Sequence, residues 1–207
     1  LIVGWNDYRS GYLPSAFDNR PQLGVAYSLD GGATWRESLF QGVGDSFPTP
    51  LLNGPGYKGG DPSVGFDSFG NPYACWISFG GSTSGVYVAK SFDGGRNFTQ
   101  MSIVKEAMAS FLEDKPYMAI DTVSLGANRD NIYVTWTNYG ELGMAFSRST
   151  NGGKTFSAPL PWPGTGGKGA VPAAGRDGSV YVCYINDDSI FVGKSNNGGA
   201  SFLPEVL

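Results

Sequence analysis

Two aspartates in matching surroundings are the residues best suited to chemistry. Asp61 directly precedes Pro62, and Asp114 lies shortly before Pro116. Each proline opens a strand-like stretch, so we expect both aspartates to sit just before an inner strand. Two carboxylates can serve as acid and base in glycoside hydrolysis, at about 5–5.5 Å separation for retention or about 6.5–9.5 Å for inversion. The alternative is that both residues cap turns.

Other carboxylates could complete such a site. Glu141 is the third candidate catalytic residue, and Glu113 and Asp7 are also considered. Carboxylates on loops could equally bind Ca²⁺, which takes hard oxygen ligands, but no EF-hand-like spacing is present. The sequence therefore predicts no cofactor and assigns no metal site.

A long loop-like segment, residues 6–23, combines aromatic, acidic and basic side chains. Such loops are often functional, although a packed loop covering a sheet edge is the alternative. Aromatic side chains suit stacking against a sugar or packing against a partner protein. The candidate ligand-binding residues of this and neighbouring loops are Asp7, Tyr8, Arg9, Arg20, Tyr57, Lys115, Tyr139 and Asp187.

The composition excludes several classes of function. The sequence contains no His, so it supplies no Ser-His-Asp or Cys-His pair and no histidine metal site. Its net charge of −4 argues against a nucleic-acid partner, which needs clustered Lys and Arg. No apolar run approaches the roughly 18 residues of a membrane span. Because Leu1 already begins a strand-like stretch, we expect either a removed leader or a piece of a longer chain.

A repeated eight-residue motif, here called the octet, predicts the architecture that positions these residues. The stretch from Ser91 to Phe98 reads Ser-Phe-Asp-Gly-Gly-Arg-Asn-Phe, and similar octets begin at Ser28, Ser149 and Ser195. Asp or Asn before Gly favours a tight turn with positive φ, and the second Gly allows a further bend. We expect the aromatic residue at the eighth position to bury its ring, a gain of about 2–3 kcal/mol. Recurrence at roughly 50 residues is typical of a repeat architecture.

Strand-like stretches recur around each octet. A proline-initiated inner strand ends at an aspartate, a second strand carries aromatic residues, a third runs into the octet, and a fourth follows it. Four strands per repeat is the pattern of a β-propeller blade, so we predict an all-β fold of four-stranded antiparallel blades. About four blades fit the chain: 1–47 without its inner strand, 48–104, 105–160 and 161–207. Within the third, residues 106–112 could form a short helical turn.

The two cysteines hold equivalent positions in the repeat. Cys75 and Cys183 each precede an aromatic residue in a second strand, with Thr135 as the counterpart between them. A disulfide needs Cα atoms within about 7 Å, and alternate blades should be farther apart. We therefore predict two buried free thiols.

The octet resembles the Asp box, or BNR repeat, Ser-x-Asp-x-Gly-x-Thr-aromatic, of sialidase-like β-propellers. The octet at Ser28 matches throughout, whereas Asn97 replaces Thr, Asn151 and Asn197 replace Asp, and Ser201 replaces Thr in the others. The resemblance implies a larger ring, commonly of six blades, with the boxes on the face away from the active site. It assigns structural Asp-box roles to Asp30, Trp35, Asp93, Phe98, Asn151, Phe156, Asn197 and Phe202.

The resemblance also implies what a sialidase would need: three Arg on the substrate carboxylate, a Tyr nucleophile with a Glu partner, and an Asp acid/base. Bidentate pairing makes Arg irreplaceable by Lys there. Only Arg9 and Arg20 can be placed on the upper face, opposite the boxes. The residues placed on the lower face are Arg36, Arg96, Arg129, Arg148 and Arg176. The Arg triad therefore cannot be completed from this chain.

Two classes of function follow. The first is an extracellular glycan- or protein-binding module that uses its upper-face loops. The alternative is a glycoside hydrolase, either an exo-sialidase or another carboxylate-pair enzyme. Fold alone does not decide between them. The expected partners are a glycan or protein ligand and additional blades of a longer chain, with no nucleic acid.

Overall fold

The computed structural model describes residues 1–7, 22–40, 57–80, 83–108, 112–140, 143–162 and 167–204. These ranges hold fifteen β-strands and no helix, as the all-β prediction required. The strands are β1 (Ile2–Asp7), β2 (Gln22–Tyr27), β3 (Arg36–Glu37), β4 (Leu39–Phe40), β5 (Tyr57–Phe66), β6 (Pro72–Gly80), β7 (Thr83–Ser91), β8 (Asn97–Met108), β9 (Glu113–Ile120), β10 (Ile132–Asn138), β11 (Gly143–Ser149), β12 (Leu160–Pro161), β13 (Lys168–Ala174), β14 (Val180–Asn186) and β15 (Ser189–Ser195).

The strands form four sheets in chain order. Sheet 1 is β1-β2-β3, sheet 2 is β4-β8-β7-β6-β5, sheet 3 is β12-β11-β10-β9 and sheet 4 is β13-β14-β15. Neighbouring strands are antiparallel, apart from the short parallel pair of β4 and β8. Strands β5, β9 and β13 lie beside one another, which makes them the inner strands of sheets 2, 3 and 4.

Consecutive sheets pack face to face, and this packing explains the strand sequences. Every residue of β10, from Ile132 to Asn138, is buried because sheets 2 and 4 cover its two faces. Ile132 and Val134 pack against Cys75 of sheet 2, whereas Tyr133 on the opposite face packs against sheet 4. Side chains alternate between the faces of a strand, so a strand with two covered faces has no polar face.

The four octets close with one pattern of hydrogen bonds. In the first, Ser28 Oγ donates to Asp30 Oδ1 (2.8 Å), while the backbone amides of Gly32 and Thr34 donate to Ser28 Oγ (2.8 Å) and Asp30 Oδ1 (2.9 Å). The octets at Ser91, Ser149 and Ser195 repeat these three bonds. Asn can replace Asp at the third octet position because these bonds need only one acceptor oxygen from that side chain. Both glycines of every octet have positive φ.

The octets lie at one edge of the sheets, which we call the lower edge. The turn from β5 to β6 lies there too, since β5 ends where β6 begins and β7 ends. A contact at this edge joins sheets 2 and 3: Ser68 donates to the Asp130 carboxylate through its backbone amide and its hydroxyl, both at 2.7 Å. The opposite, upper edge carries the ends of β6, β10 and β14 and the starts of the inner strands.

Each inner strand carries a β-bulge near the upper edge. Residues 61–62 of β5 lie opposite the single residue Trp76, and residues 115–116 of β9 lie opposite Trp136. In β13, residues 169–170 lie opposite Tyr184. The first residue of each bulge has positive φ: 51° at Asp61, 48° at Lys115 and 62° at Gly169. A bulge inserts one extra residue and redirects side chains locally.

Several expectations were wrong. Asp61 and Asp114 lie inside β5 and β9 instead of before them, because the inner strands begin earlier; Asp61 opens the bulge of β5, and Asp114 directly precedes the bulge of β9. The helical turn proposed for 106–112 is replaced by the end of β8, which runs to Met108; residues 109–111 lie outside the described ranges.

Burial at two of the repeated positions also differs from expectation. Cys183 is exposed, although Cys75 is buried and both thiols are free, because no sheet covers the outer face of sheet 4 within the described residues. Burial raises the pKa of the Cys75 thiol. Among the aromatic residues at the eighth position of the octets, Phe98 is 0% exposed, but Trp35 is 43% exposed. Phe98 stacks on Phe40, whereas Trp35 donates its indole N–H to the Gly32 carbonyl of its own turn (3.1 Å).

Candidate active site

A cleft at the upper part of β5 and β9 contains one of the predicted acidic residues, Asp61. It has a volume of about 260 Å³ and is lined by Asp61, Pro62, Lys115, Pro116 and Tyr117. All five residues belong to the two bulges or directly follow one of them. The bulges therefore form the walls of the cleft.

Asp61 of this cleft has a second carboxyl group, Asp114, as its neighbour, and Asp114 directly precedes the lining residue Lys115. Burial is the main cause that raises the pKa of Asp114, and the hydrogen bond and charge of Asp61 raise it further. The backbone amide of Lys115, which donates to Asp114 Oδ1 at 3.0 Å, and the Lys115 charge act in the opposite direction. A nearby like charge disfavours ionisation, which is how the Asp61 charge raises the pKa of Asp114.

Asn6 of β1 forms two hydrogen bonds with Asp61. The Asp61 backbone amide donates to Asn6 Oδ1 (2.6 Å), and Asn6 Nδ2 donates to Asp61 Oδ1 (3.1 Å). Gly60 makes this approach possible, because a Cβ on that residue would lie 2.5 Å from Asn6 Oδ1. Sheet 1 thus contributes directly to a site that otherwise belongs to sheets 2 and 3.

Glu113 was considered as a catalytic carboxylate, and its position argues against that role. The side chain is 0% exposed, and its Oε1 accepts a hydrogen bond from Asn138 Nδ2 (3.0 Å). Its backbone amide donates to Ser84 Oγ (3.2 Å). Alternation along β9 turns Glu113 away from its neighbour Asp114 and into the sheet packing.

The predicted site residues other than Asp61 and Asp114 divide into four groups. Lys115 lines the cleft. Tyr139 (53% exposed), Asp187 and Asp7 lie at the upper edge, at or after the ends of β10, β14 and β1, and are not among the residues lining the cleft. Tyr57 begins β5. Tyr8, Arg9, Arg20 and Glu141 lie outside the described residues.

Sequence reasoning missed three contributors: Asn6, Gly60 and Tyr117. Tyr117 follows Pro116 and is 43% exposed at the cleft. A polar residue at the end of an otherwise apolar β1 could have identified Asn6. No sequence signal pairs it with Asp61, because the contact joins residues far apart in the chain.

The arginines predicted for the lower edge make local contacts there. Arg96 donates to the Asp93 carbonyl (2.9 Å), Arg129 to the Ser124 carbonyl (3.0 Å) and Arg148 to the Gly198 carbonyl (2.7 Å). These guanidinium groups are committed to turns on the edge opposite the cleft. None of the three is available to hold a substrate carboxylate at Asp61 and Asp114.

The arrangement limits the chemistry that the pair can perform. Of the two neighbouring carboxyl groups, Asp114 is the one whose raised pKa suits a proton donor. Within the described ranges, no group of three or more Cys, Asp or Glu side chains is placed to hold a metal ion. The same ranges contain no helix long and apolar enough to cross a membrane.

Comparison with known proteins identifies the fold. No model of a known protein family matches the sequence. No curated protein matches it significantly. Solved structures do match in three dimensions at 12–16% identity: a Hadza microbial sialidase (16% identity, TM-score 0.60), a leech intramolecular trans-sialidase (12%, 0.62) and an α-L-arabinofuranosidase of Fusarium graminearum (14%, 0.63).

The coverage of these matches is unequal. They cover 88%, 90% and 99% of this chain, but only 40%, 46% and 61% of the respective structures. A structure of unknown function from Dyadobacter fermentans matches 90% of this chain with 52% of its own (16% identity, TM-score 0.62). The chain thus spans about half the length of the structures it resembles. The shared fold is that of β-propeller glycosidases, and at these identities the likeness does not carry activity with it.

Proposed function

We propose that this chain belongs to a glycoside hydrolase of the sialidase-like propeller class, in which the Asp61–Asp114 pair supplies the proton. The observation that carries the proposal is the neighbourhood of the Asp61 and Asp114 carboxyl groups beside an open cleft that Asp61 lines. A carboxyl group whose pKa is raised, as burial and Asp61 raise that of Asp114, suits general acid catalysis. The similarity to glycosidase structures supports the same class.

In this mechanism, the Asp114 carboxyl group donates its proton to the glycosidic oxygen. The bond between that oxygen and the anomeric carbon breaks, and its electron pair stays on the leaving oxygen. The Lys115 ammonium group, on the residue next to Asp114, favours the carboxylate that results. A second group must attack or stabilise the anomeric carbon. Glu141, which lies outside the described residues, is our candidate for that role from the sequence.

A glycan-binding module is the second candidate function. Exposed tyrosines favour it: Tyr117 lines the cleft, and Tyr139 stands at the same edge of the sheets. Aromatic faces stack on sugar rings and bind without chemistry. Asp7, Tyr57, Asp187 and the residues of the 6–23 segment would supply polar and aromatic contacts around them.

We further propose that the four sheets are blades of a larger ring, with boundaries near 47, 104 and 160. We also propose that the protein acts outside the cell, the location expected from its resemblance to sialidase-like propellers. The outer face of sheet 4 supports a larger ring, because Cys183, Ile185 and Val192 are exposed where the equivalent Cys75, Ile77 and Val88 are buried. A further sheet would cover that face as sheet 3 covers sheet 2.

Turnover of fluorogenic glycosides tests the enzymatic proposal. The panel should include α-sialosides, α-L-arabinofuranosides and β-xylosides. Asp114→Asn and Asp61→Asn should each lower kcat/KM at least about 100-fold, because proton transfer contributes roughly 10²–10⁴-fold. The matched control is Asp130→Asn, since Asp130 also has positive φ (62°) but lies at the lower edge.

The outcomes separate the two functions. No turnover by the unmodified protein on any glycoside rejects the hydrolase. A glycan array then tests the binding module: binding that weakens at least tenfold in Tyr117→Ala or Tyr139→Ala supports it, and binding unchanged in both variants rejects this face.

A further inference from the structure

The outer face of sheet 4, turned away from sheet 3, repeats the residues that sheet 2 buries against sheet 3. The aligned positions are Tyr73 and Tyr181, Cys75 and Cys183, Ile77 and Ile185, Val86 and Ile190, and Val88 and Val192. In sheet 2, all five positions are buried in one cluster with sheet 3. In sheet 4, Ile190 is 65% exposed where Val86 is 0% exposed, because no described residue covers this face.

The outer face of sheet 1, turned away from sheet 2, repeats what sheet 3 presents to sheet 2. Leu1 exchanges two backbone hydrogen bonds with Ser28 of the first octet, at 2.7 and 3.0 Å. Ile132 pairs with Ser149 of the third octet in the same way, so β1 aligns with β10. The aligned positions are Leu1 and Ile132, Val3 and Val134, Trp5 and Trp136, and Trp35 and Phe156. The residues of sheet 3 pack in the cluster with sheet 2, whereas Leu1, Val3 and Trp35 are exposed.

The second glycine of an octet reports whether a preceding sheet is packed against the turn. In three octets, a Cβ on this glycine would lie close to the preceding sheet: 3.0 Å from Tyr27 at Gly95, 3.3 Å from Tyr73 at Gly153 and 2.7 Å from Phe146 at Gly199. In the first octet, a Cβ on Gly32 would meet, among the described residues, only Leu1 and Trp35 of its own sheet. The first octet therefore presents a docking surface that the other three have already used.

A polar contact at the lower edge accompanies this packing. Arg148 of sheet 3 donates to the Gly198 carbonyl of the next octet (2.7 Å). Lys194 holds the place of Arg148 in sheet 4, and Gly31 holds the place of Gly198 in the first octet. The two outer faces therefore match in their apolar centres and in a cation that can meet a backbone carbonyl.

We propose that the outer face of sheet 4 in one copy of this chain binds the outer face of sheet 1 in a second copy, as sheet 2 binds sheet 3. Both faces are exposed together in one copy, so they do not meet within it. Such a head-to-tail contact, made twice, closes a ring of eight sheets, within the range of about four to eight blades. The inference rests on the proposed larger ring, whose missing partner it names, and does not depend on the proposed hydrolysis.

Chemical crosslinking of the full chain tests which faces meet. Cys183 is an exposed thiol and aligns with Cys75, which belongs to the same cluster as Val134, the counterpart of Val3. Packed sheets lie about 10 Å apart, farther than the roughly 7 Å of a disulfide, so the reagent is a bismaleimide with a reach of about 10 Å. Val3→Cys should form dimers at least about tenfold faster than the unmodified protein, with the new thiol joined to Cys183 in the crosslinked peptides.

Val123→Cys is the matched control for that experiment. Val123 is 44% exposed and Val3 is 42% exposed, but Val123 lies after β9 at the lower edge, outside both faces. Its crosslinking rate should equal that of the unmodified protein. Rapid dimers of the unmodified protein through two Cys183 thiols would show a symmetric contact and would overturn the head-to-tail proposal.

Sedimentation equilibrium measures the association without any reagent. The unmodified protein should reach the mass of two chains, and Ile190→Asp and Val3→Asp should each raise the dissociation constant at least about tenfold. Val123→Asp should change it less than about threefold. Because Ile190 and Val3 are both exposed in the single copy, a loss of association in either variant does not require a loss of folding.

The outcomes separate this inference from the enzymatic proposal. A protein that stays a single copy up to roughly 1 mM rejects the second copy as the partner, even if it turns over a glycoside. A head-to-tail dimer without turnover retains the contact and rejects the hydrolase. Association that is equally strong in Ile190→Asp, Val3→Asp and Val123→Asp would mean that other surfaces are responsible, and would also reject the inference.

Discussion

Asp61 and Lys115 occupy the same place in neighbouring inner strands: each opens a two-residue bulge opposite a tryptophan, with φ of 51° and 48°. Asp114 stands one position before the bulge of β9, so it is equivalent to Gly60 and not to Asp61. This offset of one residue matters, because successive residues of a strand point to opposite faces. It lets the two carboxyls meet where aspartates at equivalent positions would point the same way.

Lys115 therefore carries a backbone constraint as well as a charge. Lys115→Val should lower the free energy of unfolding by about 1–2 kcal/mol, because a β-branched residue fits poorly at positive φ. Lys115→Gly should change it by less than about 1 kcal/mol, since Gly169 already serves at the equivalent position of β13. Urea unfolding of both variants measures the difference. Equal stabilities of the two variants would contradict the constraint.

The ionised Asp114 carboxylate should destabilise the folded protein relative to a neutral residue at the same position. Its pKa is raised above the ordinary value of 3.8, so the unfolded chain releases this proton first as the pH rises. Stability is then lost between pH 3.8 and the folded-state pKa, and the whole penalty is present above it. Asp114→Asn should unfold at higher denaturant than the unmodified protein at pH 7, and the gap should shrink at pH 3. A gap independent of pH would contradict this linkage.

The sequence predicted the repeat and the strands more securely than the contacts between sheets. Asp-Gly-Gly turns and proline-initiated strands are local signals, and local chemistry determines them. The bulges, the clamp by Asn6 and the burial of Glu113 depend on how separate sheets approach one another. Such contacts join residues far apart in the chain, so no spacing in the sequence reports them.

The aromatic residues that end the octets should contribute differently to the free energy of unfolding, although their sequence positions are equivalent. Phe98 is fully buried between Phe40 and the rest of sheet 2, so Phe98→Ala should cost about 3–5 kcal/mol. Trp35 is half exposed and contacts its own turn, so Trp35→Ala should cost less than about 1.5 kcal/mol. Denaturant unfolding at pH 7 compares them. Equal costs would mean that another surface covers Trp35 in solution.

The ion pair of Lys90 and Asp67, at 2.9 Å with both side chains nearly buried, should make the fold sensitive to acid. Burial alone would raise the pKa of Asp67, but hydrogen bonds from Asn71 and Lys90 outweigh it and hold the pKa below 3.8. Its contribution is therefore complete above pH 3.8 and disappears as the pH falls through the lower, folded-state value.

Removing Lys90 leaves a buried carboxylate without its charge partner. Lys90→Met should cost about 3–5 kcal/mol at pH 7, and less in acid, where protonation of Asp67 removes the unpaired charge. The double variant Lys90→Met with Asp67→Asn should recover part of that loss at pH 7, because no isolated charge remains. Thermal unfolding of the three proteins at pH 7 and pH 3 measures both effects. A double variant no more stable than Lys90→Met would show that packing of the Lys90 stem over Tyr73, and not charge, is what the site requires.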